Sequence, residues 1–166
     1  MNRERYWVAV VSKDHVLRGV GGNFMQANHG KASSLKQLHR GDRVIFYSPK
    51  LKYEGDEKLQ AFTAIGQVAD EELYQYQMSE CFMPFRRNIN FYPCNDVPIV
   101  PLIGSLDFIE NKKSWGYRFR FGFFEIDQHD FTLIKTQMLA STSIRQLNNS
   151  SSKPISYDTV FAQNSN

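Results

Sequence analysis

The chain has 166 residues, of which 42% are apolar and 14% aromatic; this is enough for one domain with its own core and excludes disorder of the whole chain. Its 20 Lys and Arg against 17 Asp and Glu give a net charge of +3, too small for a protein that coats duplex nucleic acid, so any nucleic-acid contact should be local. Cys81 and Cys94 lack zinc-ligand spacing, and no apolar stretch approaches a membrane span, so we expect reduced thiols in a soluble, cytoplasmic protein.

The first segments predict a strand followed by a short helix. Residues 6–11 are β-branched or aromatic almost throughout, which is typical of a strand buried on both sides. Ser12 is a capping residue type and Gly19 a stop, so about one helical turn is expected between them. Gly21 and Gly22 lack the spacing of a phosphate-binding loop, and we interpret them as flexible backbone beside a binding surface.

The middle of the chain predicts one short helix and four strands. The helix covers residues 32–40, presents Leu35 and Leu38 to the sheet, and ends at Gly41. The strands are rich in β-branched and aromatic residues, and the first two should form an antiparallel pair. They cover residues 42–49, 59–68, 73–78 and 85–92. Pro101 can open a further short helix that reaches about Glu110.

Aromatic residues alternate with Gly and Arg from Trp115 to Phe123. As a strand, this segment places five rings on one face and Arg118 with Arg120 on the other. The ring face fits either an ordinary buried sheet or a surface for unstacked bases. The Arg face fits either phosphate contacts or solvated ion pairs.

Five rings are more than a single unstacked base requires. We therefore assign Phe119, Phe121 and Phe123 to the core, and leave Trp115 with Tyr117 as candidates for the binding surface.

The last predicted element is a helix from Asp127 to about Leu139, with Asp127 as its N-cap and Asp130 in its first turn. Its buried stripe is Phe131, Ile134 and Met138. Residues 1–140 then form a single domain, and residues 141–166 a polar tail that is weakly ordered or docks through Tyr157, Val160 and Phe161.

Many short strands with small inserted helices indicate an α+β domain with a strongly curved sheet or open barrel. The short connections favour mostly antiparallel pairing and disfavour a doubly wound parallel sheet.

Short blocks of recognisable sequence follow one another along the chain. They are Tyr6–Val8, Ser12–His15, Gly22–Phe24, His29–Lys31, Gly41–Asp42, Tyr47–Pro49, Phe62–Gly66, Pro84–Arg87 and Trp115–Arg120. In this order they resemble the EVE domain family of the PUA-like superfamily, which is related to the YTH readers. The resemblance covers about residues 5 to 136. It implies a PUA-like open β-barrel and a pocket that receives a modified nucleobase of DNA or RNA flipped from its stack.

A base-reading pocket needs stacking faces, edge donors and acceptors, and cations for phosphates, and these blocks contain all three. Each ring taken singly also fits core packing, and each polar residue fits ordinary loop hydrogen bonding. Trp7 is the weakest wall candidate because it lies within an apolar strand. The ligand-binding candidates are Ser12, His15, Phe24, Asn28, His29, Tyr47, Ser48, Arg87, Trp115 and Tyr117. The candidates for the nucleic-acid backbone are Lys31, Arg86, Arg118 and Arg120; adjacent Arg86 and Arg87 should point to opposite faces of a strand, so only one can readily line the pocket.

The function expected from these features is a non-catalytic, nucleic-acid-binding (DNA- or RNA-binding) module for a modified base, with no cofactor, metal or membrane partner. Asp14, His15 and His29 are the available acid–base groups, but they form no catalytic or metal-binding spacing. The alternatives are a small-molecule sensor or enzyme that takes a nucleoside or anionic metabolite in the same pocket, and a protein-interaction domain. The sequence specifies neither the modification nor the oligomeric state.

Overall fold

The computed structural model describes residues 3–151, and for residues 141–151 it describes only the backbone of a helix. Seven strands are formed by the described residues: β1 Tyr6–Val10, β2 Phe24–Met25, β3 Arg43–Lys50, β4 Lys58–Gln75, β5 Phe85–Phe91, β6 Val97–Pro98 and β7 Phe123–Ile126. The α-helices of the same range are α1 Lys13–Gly22, α2 Ala32–Leu35 and α3 Gln128–Ser151. Short 3₁₀ turns cover Asn28–Gly30, Val100–Ser105, Lys112–Ser114 and Tyr117–Phe121.

The strands form one mixed sheet in the order β2-β5-β4-β3-β1-β7, with β6 paired to β4. β2 and β7 are its two ends, so the sheet is open rather than closed into a barrel. β1 and β3 pair in parallel, and the other pairs are antiparallel. The parallel pair requires a long crossover, which α1, β2 and α2 supply. The α+β class is confirmed.

Each face of the sheet carries its own core, as the alternation along β3 shows. Ile45 and Tyr47 pack on the face covered by α3, which we call the α3 face. Val44 and Phe46 pack on the opposite face, under α1 and α2, which we call the α1 face. The predicted stripe of α3 is buried on the α3 face through Phe131, Ile134 and Met138. Leu35 and Leu38 are buried on the α1 face, as predicted.

The predicted antiparallel pairing of the two central strands is confirmed by β3 and β4. The break expected after Val68 is absent, because β4 runs on to Gln75 as one strand with a register shift between Val68 and Leu73. Asp70 ties this irregular stretch to β5, since its carboxylate accepts a hydrogen bond from Asn88 Nδ2 at 2.9 Å.

The predicted strand from Trp115 to Phe123 is wrong: only Phe123 belongs to a strand, β7, whereas Tyr117–Phe121 form a 3₁₀ turn and the remaining residues lie in turns or bends. Gly122 ends the turn with φ of 74° and donates its N–H to Phe119 O. A 3₁₀ helix has three residues per turn, so residues two apart no longer share a face. The period-two pattern therefore does not put the five rings or the two arginines on common faces.

α1 and α3 are longer than predicted, whereas α2 ends at Leu35 and so covers only the first part of the helix predicted over residues 32–40. α1 continues to Gly22 because Asn23 takes the left-handed conformation (φ 56°) and its N–H caps Gly19 O. The predicted Asp127 cap is confirmed by the Asp130 N–H, which donates to Asp127 Oδ1 at 2.8 Å. α3 runs on through residues 141–151 of the expected tail, whereas Tyr157, Val160 and Phe161 lie outside the described residues. Within residues 3–151, no helix combines the length and apolar character needed to cross a membrane.

Candidate functional site

A cavity of about 510 Å³ lies on the α1 face, where the end of β1 meets α1 and β2. Its volume is within the range of small-molecule sites. Buried apolar side chains line its inner part, and exposed rings, cations and a methionine line its mouth. The inner residues are Val16, Met25, Ala27 and Phe46. The mouth residues are Arg18, His29, Tyr53, Met78, Phe82 and Arg120.

Aromatic rings from four separate elements converge on this cavity. Phe46 on β3 and Phe91 on β5 pack together with ring centroids 5.6 Å apart. Phe24 on β2 lines the cavity while the Arg86 guanidinium lies 3.7 Å from its ring centroid on one face. Phe82, on the β4–β5 hairpin, is 41% exposed. The cavity thus has both enclosed and accessible apolar surface.

Asp14 organises one side of the mouth. Its carboxylate accepts hydrogen bonds from Ser12 Oγ at 2.6 Å and from the Tyr53 N–H at 3.2 Å. The Tyr53 ring then stacks on His15 with centroids 5.1 Å apart, and His29 approaches its edge at 6.4 Å. Burial raises the pKa of Asp14, but the hydrogen bonds from Ser12 and from the Tyr53 and His15 amides outweigh it, so the net pKa lies below its usual value.

This arrangement predicts a pH-dependent position for Tyr53. The contribution of Asp14 to stability is fully present above its unfolded pKa of about 3.9 and is lost as the pH falls through the lower folded pKa. In amide NMR spectra recorded during acid titration, the Tyr53 signal should shift with the protonation of Asp14. Asp14→Asn should abolish that inflection, and an inflection unchanged in this variant would show that another group controls Tyr53.

The turn Asn28–Gly30 forms another side of the cavity with three consecutive positive φ angles of 46°, 59° and 78°. Asn28 Nδ2 donates to Ser34 Oγ at 2.5 Å, and Asn28 Oδ1 lies where a Cβ on Gly122 would be. Non-glycine residues in this conformation are strained and persist only where their surroundings hold them. The contacts with Ser34 and Gly122 provide that support.

The cations at the mouth have no acidic partners. Arg18 and Arg120 are exposed, and no salt bridge among the described residues involves either. The site therefore combines rings, polar edge groups and two guanidiniums available to an anion.

The profile of the EVE domain matches residues 5–137. The chain belongs to the EVE domain family. It is 54% identical over 137 residues to a UPF0310 protein of Mycolicibacterium vanbaalenii, covering 82% of this chain and 94% of that one. It is 41% identical over 133 residues to the UPF0310 protein YdcG of Bacillus subtilis, covering 80% of this chain and 91% of that one.

A solved structure of a hypothetical protein from Leishmania major is similar in fold, with a TM-score of 0.55 and 11% identity. The match covers 87% of this chain and 98% of that one.

In this EVE domain, the cavity brings together six of the residues expected at the site. Five were ligand-binding candidates and one a backbone candidate: Ser12, His15, Phe24, Asn28 and His29, with Arg120. They come from segments separated by up to about a hundred residues. The segments meet because β1, which precedes Ser12, pairs with β7, which follows Arg120. Backbone hydrogen bonding from Val10 N to Gly122 O at 2.9 Å fixes the Arg120 segment beside the end of β1.

Tyr47 and Ser48 lie away from the cavity, contrary to expectation. Tyr47 is 2% exposed and stacks on Phe119 at 3.9 Å in the α3-face core, and burial raises its pKa to about 12. Ser48 is fully buried, with Oγ 2.7 Å from Thr63 Oγ1. Both residues serve packing within the sheet because the β3 pleat and its register shift direct them inward.

Trp115, Tyr117 and Arg118 also lie outside the cavity. Trp115 packs against the α3-face core, edge-to-face with Phe119 at 6.3 Å. Tyr117 is 60% exposed, and Arg118 instead lines an open groove with Asp107 and Glu125. The 3₁₀ turn separates Arg118 from Arg120, so the predicted joint basic patch does not form.

Arg86 and Arg87 do point in different directions, and neither lines the cavity. Arg86, 7% exposed, lies between the rings of Phe24 and Tyr76, 3.7 and 4.0 Å from their centroids. Arg87, 2% exposed, donates to backbone carbonyls. Lys31 is exposed just past the Asn28–Gly30 turn, outside the cavity lining.

Sequence reasoning missed several cavity residues. Tyr53 lies in the acidic β3–β4 loop, and Met78 and Phe82 lie on the β4–β5 hairpin. The sequence feature that could have indicated them is an aromatic or Met side chain in a polar loop, where packing of the core does not explain it. Phe46 and Phe91 carried no such signal, because a core ring and a cavity-floor ring are identical in a strand pattern.

A group of potential metal ligands lies at the start of α3, where one ligand atom from each of Asp107, Asp127, His129 and Asp130 falls within 4.8 Å of the others. The Asp130 oxygens already accept the N–H groups of Asp107 and Phe108 at 2.9 and 2.8 Å. The pKa of His129 is raised by the hydrogen bond of His129 with Asp130 and by the charge of Asp107. These contacts explain the cluster as hydrogen bonding that fixes the start of α3 to the preceding loop.

Proposed function

We propose that this EVE domain is a non-catalytic nucleic-acid-binding module that takes a modified nucleobase, flipped from its stack, into the cavity beside β1, α1 and β2. The observation that carries the proposal is the convergence of rings, edge-binding groups and unpaired guanidiniums on one cavity of about 510 Å³. We also propose that the sheet corresponds to a PUA-like open barrel, in which the two end strands β2 and β7 do not pair with each other.

The lining supports base capture in three ways. Phe46 and Phe91 offer flat apolar surface in the interior, and each stacked base is worth about 1 to 3 kcal/mol. Ser12 and Asn28 place a hydroxyl and an amide at the wall for the base edge. Arg18 and Arg120 stand at the mouth, where the phosphates of a strand remain outside.

The apolar interior also gives a reason for preferring a modified base. A methyl group buried against Val16, Met25 and Ala27 gains about 0.8 kcal/mol over its absence, which corresponds to roughly a fourfold preference. The available acid–base groups serve structure, since Asp14 binds Ser12 and Tyr53, and His15 stacks on Tyr53. This supports a binding role rather than catalysis.

A second candidate is a sensor or enzyme for a free nucleoside or an anionic metabolite, which the cavity volume favours. Salt dependence separates the two. Oligonucleotide binding should weaken steeply with added salt, whereas binding of a neutral nucleoside should barely respond.

The test is a titration of short oligonucleotides and free nucleosides that carry methylated or otherwise modified bases, each beside its unmodified parent. At least one modified oligonucleotide should bind more tightly than its parent. Tyr53→Ala should weaken that binding about 5- to 150-fold, because it removes a ring at the mouth.

Leu17→Ala is the matched control, since Leu17 is 58% exposed on α1 and does not line the cavity. Its affinity should equal that of the wild type. A panel without any preference, or equal binding by wild type and Tyr53→Ala, would remove the basis of the proposal.

A further inference from the structure

The 3₁₀ turn Tyr117–Phe121 presents two large rings to solvent. Tyr117 is 60% exposed and Phe121 56% exposed, and their rings meet edge-to-face at 5.8 Å. The turn itself is held firmly, because Phe119 between them is 8% exposed and stacks on Tyr47 at 3.9 Å. The chain thus holds an accessible aromatic pair on a rigid base.

This pair is connected to the cavity by Arg120. Residues three apart in a 3₁₀ helix lie on the same side, and the Arg120 guanidinium is 5.8 Å from the Tyr117 ring centroid. Arg120 and Gly122 line the cavity, whereas Phe121 between them points to solvent. A cation therefore stands between the cavity and a second aromatic surface.

We infer that Tyr117 and Phe121 stack a nucleotide next to the captured base, with Arg120 on the phosphate between them, and that the ligand is therefore a single strand. This inference rests on the proposed function of the cavity. A flexible strand can place one base in the cavity and its neighbour on an exposed ring, and such stacking tolerates any base.

The charge distribution favours a single strand over a duplex. Duplex binding depends on many phosphate contacts, and the chain has a net charge of only +3. In a duplex, moreover, the faces of neighbouring bases are already covered by their own stack. One guanidinium with two exposed rings matches a short run of unstacked nucleotides better.

The test takes a modified base that binds in the titrations above. It compares the free nucleoside with a single-stranded pentanucleotide carrying that base at the centre and with the matching duplex. The single strand should bind most tightly. Tyr117→Ala and Phe121→Ala should each weaken pentanucleotide binding about 5- to 150-fold, an effect confined to the longer ligand. Both residues are exposed, so thermal denaturation should show that the variants fold.

Val100→Ala is the control for losing an exposed apolar side chain, because Val100 is 60% exposed on a different 3₁₀ turn. It should leave every affinity unchanged. Arg120→Gln should reduce the slope of log affinity against log salt for the pentanucleotide by about 0.7, the value for one phosphate contact on a single strand.

The outcomes separate this inference from the function on which it rests. If no modified nucleoside or oligonucleotide binds, the proposed function itself fails. If the nucleoside binds but the pentanucleotide binds no more tightly, or the duplex binds equally well, the inference is overturned while the cavity proposal stands. Self-association that Tyr117→Ala or Phe121→Ala abolishes would also overturn it, assigning the ring pair to a second copy of this chain.

Discussion

Arg87→Met should lower the free energy of unfolding by about 3 kcal/mol, because it leaves buried carbonyl groups without donors. Arg87 Nη1 donates to Leu35 O at 2.9 Å and to Leu38 O at 2.6 Å, and Nη2 donates to Asp70 O at 2.8 Å. One guanidinium on β5 therefore holds both the α2 segment and the irregular stretch of β4. Burial lowers the pKa of Arg87, while Glu71 and Asp70 oppose that shift.

Thermal and denaturant unfolding would measure this effect, and a loss of about 3 kcal/mol corresponds to a decrease of roughly 6 to 12 °C in Tm. Arg87→Lys should fall between wild type and Arg87→Met, because an ammonium lacks the planar fork that spans three carbonyls. The control is Arg118→Met, which removes a half-buried guanidinium that lies over the Phe124 ring and should cost no more than about 1 kcal/mol. Equal stability of Arg87→Met and Arg118→Met would contradict the assigned role.

Gly30→Ala should cost about 2 to 4 kcal/mol of stability and abolish ligand binding in the cavity. Gly30 has φ of 78°, and a Cβ there would lie 2.9 Å from Pro84 Cα and 3.3 Å from Phe82 Cζ. Relief of this clash must separate the Asn28–Gly30 turn from the β4–β5 hairpin, and both segments line the cavity. Denaturant unfolding and the titrations described above would measure the two effects.

Gly21→Ala is the matched control. Gly21 lies in the last turn of α1, and a Cβ there has no neighbour within 4 Å. Alanine is the better helix former, so this variant should be as stable as wild type or more stable by up to about 1 kcal/mol. A Gly30→Ala protein that keeps both stability and binding would show that the turn can move independently of the cavity.

The elements predicted well are those whose local pattern agrees with their environment. β1, β3 and β5 carry β-branched and aromatic runs that only a strand accommodates between two cores. Asp127 and the stripe of Phe131, Ile134 and Met138 likewise determine where α3 begins and which side it buries.

The Trp115–Phe123 segment shows why a pattern alone can mislead. Its alternation fits a strand, but Gly122 closes a turn onto Phe119 O, and Phe119 is drawn into the stack on Tyr47. Tertiary packing overrode the strand propensity of this segment, because that propensity contributes less free energy than the burial of one aromatic ring. Trp115, expected at the pocket, consequently packs on the α3 face.

The sequence by itself determined the family, the α+β class and the central strands, because these depend on local residue types and short blocks. Five of its ten ligand-binding candidates line the cavity, and their role in binding stays a prediction. Only the tertiary structure decided which face each ring occupies and which loops meet. Phe46 and Tyr47 are neighbours in sequence, yet the strand pleat sends one to the cavity and the other to the opposite core. Tyr53 and Phe82 line the same cavity although their loops precede and follow the 18-residue strand β4, and no local residue pattern encodes such a long-range meeting.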